Sequence, residues 1–247
     1  MLPQSPTFRY ICRETWKDQY PEEVEASGYL TWADLRKIVC QVRVGQGQTF
    51  LDIACGRGGV GLWIARETGA TLVGFDLSPV AIASAKKRVQ AMGISQRTTF
   101  LVADVMATGW ASASFDGAIC IDAFVNFQDK TVAAAEIARL LRPQARFVLM
   151  AYDYAELPRP VESTPFIPQV SDHHQLLQDV GFVVDTYEVI PNWRYFYQTF
   201  YEHILVYREA LIAEMGDIVG KACVDAAQRE LENLHLLQRS FVVAHKG

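Results

Sequence analysis

The residues best suited to chemistry lie between positions 48 and 66, where an acid, several glycines and a helical pattern follow one another. Residues 48–53 read as an apolar strand with Asp52 near its carboxyl end. Four glycines follow at positions 56, 58, 59 and 61. Glycine permits a tight turn and a close ligand approach, and the N-terminus of the helix that follows presents free N–H groups. This run therefore predicts a ligand-binding turn.

Two further acids end the next two predicted strands. Asp76 closes the strand near 71–75, and Asp104 follows the strand near 99–103. An acid after the second strand offers the double acceptor that a ribose hydroxyl pair needs. Each acid could instead cap the helix or turn that follows it. Three successive strands that end in Asp favour a nucleoside-containing cofactor over that structural role.

The charge of Asp52 helps to choose between cofactors. Residues 56–61 fit the Gly-x-Gly-x-x-Gly spacing of nicotinamide and flavin enzymes, so the glycines alone do not decide. A pyrophosphate over the turn would be repelled by an ionised Asp52. The sulfonium and ammonium groups of S-adenosylmethionine would be attracted to it.

Around this turn the sequence resembles motif I of the class I S-adenosylmethionine-dependent methyltransferases, a strand followed by Asp-x-Gly-x-Gly-x-Gly. Ala54 stands where the family usually has its first glycine, and the small Cys55 precedes Gly56. In the resemblance, Asp104 accepts from the adenine amino group and Val105 packs on the ring. The resemblance assigns the cofactor to Asp52, Ala54, Cys55, Gly56, Gly58, Asp76, Leu77, Asp104, Val105, Ile121 and Phe127.

Methyl transfer needs alignment in a dry site, and an oxygen or carbon nucleophile also needs a base. Many small-molecule members of the family carry His where Asn126 stands; an amide cannot accept a proton but can orient the acceptor. Asp153, after the fifth predicted strand, is the preferred base. His173 is a further candidate, with a surface helix start as its structural alternative. Asp122 is equally well explained as a turn acid.

Alternating strand and helix patterns from residue 48 to residue 190 predict an α/β fold, a doubly wound and mostly parallel sheet with helices on both faces. In the resemblance the sheet has seven strands, and the last one, near 240–244, is antiparallel and lies between the fifth and sixth. The other predicted strands lie near 48–53, 71–75, 99–103, 116–121, 146–151 and 182–190. The predicted core helices lie near 59–68, 78–92, 129–141 and 171–180.

Two helical additions complete what we predict to be a single domain. Residues 1–44 form an N-terminal helical segment, and 191–238 form a helical insertion, with a helical pair over 193–238. The core comprises 45–190 and 239–247. Aromatic residues are concentrated in both additions and are more often core than ligand contacts. We nevertheless expect a substrate lid formed by Tyr20, Tyr29, Trp32, Tyr152, Tyr195, Phe196 and Phe200.

The composition of the chain limits the kinds of partner that it could bind. The net charge is −5 without a basic run, which disfavours nucleic acid, and no apolar run is long enough to span a membrane. The first ten residues lack the apolar core of a signal peptide. Five cysteines without metal-ligand spacing predict a reduced, cytoplasmic protein with no metal. The helical additions could also pack across a homodimer interface.

The function expected is therefore methyl transfer from S-adenosylmethionine to an O, C or N nucleophile of a small, apolar or aromatic metabolite, natural products included. A second interpretation is an NAD(P)-dependent oxidoreductase, which fits the glycines and Asp76 but leaves Asp52 and Asp104 unexplained. A third is a non-catalytic binding module with the cofactor fold, which the absence of His at Asn126 keeps open.

Overall fold

The computed structural model describes residues 5–25, 29–154 and 173–247, and the side chains of Asp153 and Tyr154 lie outside the described part. Within it, seven strands form one sheet in the order β3-β2-β1-β4-β5-β7-β6. All pairs are parallel except β5–β7 and β7–β6, which are antiparallel, so the predicted α/β architecture is confirmed. The strands are β1 Thr49–Ile53, β2 Thr71–Asp76, β3 Thr98–Val102, β4 Phe115–Ile121, β5 Leu141–Tyr154, β6 Phe182–Val189 and β7 Leu237–Lys246.

Helices cover both faces of the sheet and its carboxyl edge. Local caps define several of them: the Ser78 hydroxyl accepts from the Ala81 N–H at 3.2 Å, with Pro79 in the first turn. Thr31 and Asp34 form a reciprocal capping box. The helices are α1 Pro6–Trp16, α2 Trp32–Val42, α3 Gly59–Thr68, α4 Pro79–Met92, α5 Lys130–Leu140, α6 His173–Asp179, α7 Trp193–Val206, α8 Arg208–Met215 and α9 Asp217–Asn233.

Two sequence-based expectations about elements were wrong. The insertion over 193–238 holds three helices rather than a pair, because the chain breaks at Tyr207 and again at Gly216, whose φ is +80°. The fifth strand runs on to Tyr154, so Tyr152 and Asp153 do not lie in a loop after it. Asp153 pairs with Gln238 on β7, and this partner strand extends the ladder beyond residue 151.

Three hydrophobic clusters hold the fold together. Alternate residues of the strands face opposite sides of the sheet, so Phe50 and Val148 join one cluster while Leu51 and Leu149 join the other. Strands buried on both faces are typical of a sheet sandwiched between helices. A third, aromatic-rich cluster joins α1 to α7, α8 and α9 and includes Tyr152 near the carboxyl end of β5.

The helical additions thus have a hydrophobic core of their own, which lies against the carboxyl edge of the sheet. Among the helices of the described residues, none has the length and apolar character needed to cross a membrane.

Candidate active site

Asp52 and Gly61 form the first part of the site at the carboxyl end of β1. The Gly61 N–H donates to the Asp52 carboxylate at 3.1 Å, and the side chain of Asp52 is buried. A Cβ at Gly61 would lie 2.5 Å from Asp52 Oδ2, so only glycine admits this contact. Burial raises the pKa of Asp52 to about 7; the Gly61 N–H acts against this rise and the nearby Asp76 adds to it.

The carboxylate of Asp76 fixes the turn between β1 and α3. Its two oxygens accept from the N–H groups of Gly56 and Ser78, each at 2.8 Å. Ala54 has a φ of +53°, a left-handed conformation that costs a non-glycine residue roughly 1–2 kcal/mol. The turn therefore keeps a glycine-like backbone at the position where the resembling motif has glycine.

The other predicted residues of the turn are small for different reasons. A Cβ at Gly58 would lie 2.4 Å from the ring of Phe100, which packs under the turn from β3. Burial raises the pKa of the Cys55 thiol, so this cysteine stays protonated and fits a packing role better than that of a nucleophile.

The third acid lies two residues after β3. Asp104 accepts the Met106 N–H on Oδ1 at 2.9 Å, the turn-capping contact that the structural alternative predicts. Val105 is buried in the core cluster behind it. Leu77, after β2, is 66% exposed, so the structure places a large apolar side chain in solvent beside Asp76. Asp52 near the end of β1, Asp76 at the end of β2 and Asp104 after β3 lie at one edge because these strands are parallel neighbours.

The region after β4 holds the remaining candidates. Ile121 ends β4 and is partly buried, and Asn126 is exposed at the end of the short 3₁₀ turn Phe124–Asn126. Phe127 packs edge-on against Phe124 at 5.2 Å between ring centroids. His173 is fully buried, with its ring 5.3 Å from that of Phe124, so the expectation of a surface position was wrong. Helix α6 turns this residue toward the core.

A buried ion pair, which sequence reasoning missed, connects this region to β7. Arg239 donates to both carboxylate oxygens of Asp122, at 3.1 and 2.6 Å, and to the Tyr29 carbonyl at 3.0 Å. Burial favours the neutral form of Arg239, but the Asp122 carboxylate outweighs it and raises the pKa of the guanidinium. Asp122 is therefore more than a turn acid: it holds the cation that fastens the N-terminal segment to the sheet.

A second contact between the N-terminal segment and the site lies above the glycine turn. We call residues 20–25 the strap. Arg57, inside the turn, pairs with Glu25 at 2.7 Å, and Arg88 of α4 donates to the Val24 carbonyl at 2.9 Å. A Cβ at Gly59 would lie 2.1 Å from that carbonyl oxygen. Position 59 therefore requires glycine, because the strap crosses it.

A cavity of about 320 Å³ lies between the helical additions and the ends of β5 and β7. Of the seven predicted lid residues, Tyr29, Tyr152 and Phe196 line the cavity, and Tyr20 stacks on the lining residue Trp16. The other three lie elsewhere. Phe200 is buried behind the lining, Trp32 packs on Trp63 of α3, and Tyr195 is 67% exposed.

The fold and the site together define a class of protein. A doubly wound sheet with a glycine turn and carboxylates at the carboxyl ends of three neighbouring strands is typical of α/β proteins that bind a nucleoside cofactor. Among the residues that the structure describes, no group of His, Cys, Asp and Glu side chains could hold a metal ion.

Comparison with known proteins identifies the family. A family model described as a methyltransferase domain matches residues 50–144. O-methyltransferase rstn1 of Aspergillus nomiae is 30% identical over 178 residues, which cover 68% of this chain and 78% of the relative. Methyltransferase GfsG of Streptomyces halstedii is 36% identical over 106 residues, which are 43% of this chain and only 38% of that relative. The chain belongs to the S-adenosylmethionine-dependent methyltransferases.

Solved structures share the fold at low identity. The [4+2]-cyclase SpnF superposes with a TM-score of 0.76 at 21% identity, covering 90% of this chain and 84% of SpnF. Other chains with the same fold were solved in complex with S-adenosylmethionine or S-adenosylhomocysteine. S-adenosylmethionine is the cofactor of this family.

The strap yields a testable prediction. Gly59→Ala should lower the affinity for S-adenosylmethionine about tenfold, because the new Cβ pushes the Val24 carbonyl and the strap away from the turn. Isothermal calorimetry measures the affinity, and cleavage by a protease reports strap exposure. Gly45→Ala is the matched control, since its Cβ would have no neighbour closer than 3.9 Å. Equal affinity in Gly59→Ala and wild type would contradict a role for the strap in binding.

Proposed function

We propose that this protein transfers the methyl group of S-adenosylmethionine to a small, neutral, largely apolar or aromatic acceptor bound in the cavity under the helical additions. The observation that carries the proposal is the set of three carboxylates, Asp52, Asp76 and Asp104, which lie at or just after the carboxyl ends of neighbouring parallel strands around the glycine turn. Negative charge at this edge suits a cationic methyl donor and opposes the pyrophosphate of a dinucleotide.

Each carboxylate has a proposed partner on the cofactor. Asp52 and the turn around Ala54, Cys55, Gly56 and Gly58 would hold the methionine end. Asp76, whose oxygens are already oriented by two backbone N–H groups, would accept from the ribose hydroxyls. Asp104 would accept from the adenine amino group. Apolar side chains would cover the adenosine moiety; these are Leu77, Val105, Ile121 and Phe127.

When bound, the cofactor supplies an electrophilic methyl group whose displacement leaves a neutral thioether. The protein's part is to align the nucleophile and to exclude water. Aromatic side chains of the cavity suit both tasks, because they are large, stiff and apolar. The relative from Aspergillus nomiae is named an O-methyltransferase, which supports an oxygen nucleophile. Natural-product metabolism is the setting we propose.

Three residues identified from the sequence have proposed roles in the reaction. Asp153 remains a proposed base, Asn126 a proposed orienting residue, and His173 a proposed contributor from its buried position. A cytoplasmic location and a homodimer are likewise proposals.

Calorimetry with three ligands tests the cofactor assignment. We expect S-adenosylmethionine and S-adenosylhomocysteine to bind and NADH to give no heat. Tight NADH binding without heat from the sulfonium compound would refute the proposal in favour of an oxidoreductase. Incubation with a methyl-labelled cofactor and a panel of small metabolites then separates an enzyme from a binding module, which would release no labelled product.

A further inference from the structure

One hydroxyl in the cavity lining has no hydrogen-bond partner among the residues that the structure describes. Tyr152 is buried, and its hydroxyl oxygen makes no hydrogen bond to the residues that the structure describes. A buried polar group without a hydrogen bond costs free energy, which a bound ligand can recover. The guanidinium of Arg239 lies 5.4 Å from the centre of the Tyr152 ring and lines the same cavity. Because Asp122 pairs with the Arg239 charge, the group that this corner offers to a ligand oxygen is the Tyr152 hydroxyl.

The neighbouring wall holds a chain of hydrogen-bonded side chains. The ring of Tyr197 also lines the cavity, 5.4 Å from that of Tyr152 between centroids. The Tyr197 hydroxyl donates to the Glu230 carboxylate at 3.1 Å and accepts from Tyr201 at 3.3 Å. Tyr201 in turn lies 2.6 Å from the Tyr29 hydroxyl. The cavity is thus linked to a carboxylate through one phenol.

Glu230 has the properties of a proton acceptor. It lies on α9 and is only partly exposed; burial raises the pKa of its carboxyl, and the hydrogen bond from Tyr197 acts against that rise. A carboxylate with a raised pKa is a stronger base near neutral pH. Among the described residues, the ionisable groups that interact electrostatically with Glu230 are Tyr197 and Tyr201 on α7, Tyr29 before α2, Tyr152 on β5 and Arg229 on α9.

We propose that the acceptor is a neutral phenol or enol whose oxygen lies between Tyr152 and Tyr197, and that its proton leaves through Tyr197 to Glu230. This inference rests on the function proposed above and extends it. As the acceptor oxygen forms its bond to the methyl carbon, the carbon–sulfur bond breaks with its electron pair on sulfur.

The acceptor O–H bond breaks in the same step. Its proton passes to the Tyr197 oxygen while the proton of Tyr197 passes to Glu230, which later releases it to solvent. Tyr152 donates its free hydroxyl hydrogen to the reacting oxygen. Tyr197 is then the catalytic residue, and Glu230 acts through it. For a phenol or enol acceptor, this relay takes the place of Asp153 as the proposed base.

The test uses 2-naphthol as the acceptor and S-adenosylmethionine with a labelled methyl group. Glu230→Gln and Tyr197→Phe should each lower kcat about 100-fold, because general-base catalysis contributes factors of about 10² to 10⁴. The KM for S-adenosylmethionine should change less than about twofold. The double variant should lose no more than either single variant, since both residues act in one relay. Glu232→Gln, an exposed carboxylate on the same helix, is the matched control.

The pH profile separates a relay from a structural role. In the wild type, kcat should rise with pH through the raised pKa of Glu230, because only the ionised carboxylate accepts a proton. Glu230→Gln should lose that rise. Should Glu230→Gln fail to fold, Tyr197→Phe keeps the ring packing and carries the same test.

Four results would overturn the inference. They are kcat within twofold of wild type in Tyr197→Phe, additive losses in the double variant, a collapse of kcat in Asp153→Asn alone, and no methylation of 2-naphthol by a wild type that binds S-adenosylhomocysteine. The last result leaves the proposed function standing, whereas failure to bind S-adenosylhomocysteine would remove both.

Discussion

Replacing Asp52 with asparagine should stabilise the ligand-free protein at neutral pH and remove most of its affinity for S-adenosylmethionine. The carboxyl is buried, and its pKa rises from 3.8 to about 7 in the folded chain. An amide oxygen can still accept from the Gly61 N–H, so the contact at 3.1 Å survives the substitution. What is lost is the negative charge that the cationic cofactor needs.

The sign of the stability effect follows from the two pKa values. A carboxyl that is harder to ionise in the folded state destabilises the fold once the pH exceeds the unfolded pKa. The penalty is absent below about pH 4, grows toward pH 7 and is constant above it. Each pKa unit corresponds to about 1.4 kcal/mol, so a rise from 3.8 to about 7 predicts that Asp52→Asn gains roughly 4 kcal/mol at pH 8 and little at pH 4.

Urea denaturation at the two pH values measures this gain. Asp129→Asn is the matched control, because Asp129 is an exposed helix cap and asparagine caps equally well. Equal stability of Asp52→Asn and wild type at pH 8 would contradict a raised pKa for Asp52.

Binding provides the second measurement on the same variant. Because the ionised form of Asp52 attracts the cofactor, wild-type affinity should increase about tenfold per pH unit up to about pH 7 and then level off. Asp52→Asn should bind at least 100-fold more weakly at pH 8 and show no such dependence. Retention of affinity in this variant would separate Asp52 from the cofactor.

Much of this architecture is encoded locally and could be predicted. Apolar runs and helical patterns located the core strands and helices within a few residues, except for the longer β5. The glycine turn and Asp52 are adjacent in sequence, so their contact follows from the strand–turn–helix geometry. Asp76 reaches the same turn because β2 lies beside β1, which the alternation of strands and helices implies.

The missed features depend on long-range contacts. Arg239 meets Asp122 across 117 residues of chain, and Tyr197 meets Glu230 across 33. Arg239 and Glu230 belong to no motif. In a sequence, a single arginine near the start of a strand or a glutamate on a helix does not indicate that the side chain is buried. The need for glycine at position 59 was missed for the same reason, because the strap that crosses it lies more than 30 residues away in the chain. Such roles follow from tertiary packing and not from spacing.

The ion pair of Arg239 and Asp122 is the other place where a large effect is expected. Their side chains are 3% and 8% exposed, so removing one partner strands a buried charge, which typically costs about 3–5 kcal/mol. Arg239→Met should therefore lower stability by that amount and free the Tyr29 carbonyl, increasing protease cleavage of the N-terminal segment.

The double variant Arg239→Met with Asp122→Asn distinguishes a stranded charge from lost packing. Asp122 has a φ of +54°, which asparagine tolerates and larger apolar residues do not. With no charge left to bury, the double variant should be more stable than Arg239→Met alone, as measured by urea denaturation. Arg66→Met is the control, because its ion pair with Glu67 is exposed and should change stability by less than about 1 kcal/mol. A double variant as unstable as the sum of the single variants would show that Arg239 acts through packing and its bond to Tyr29, with its charge playing no part.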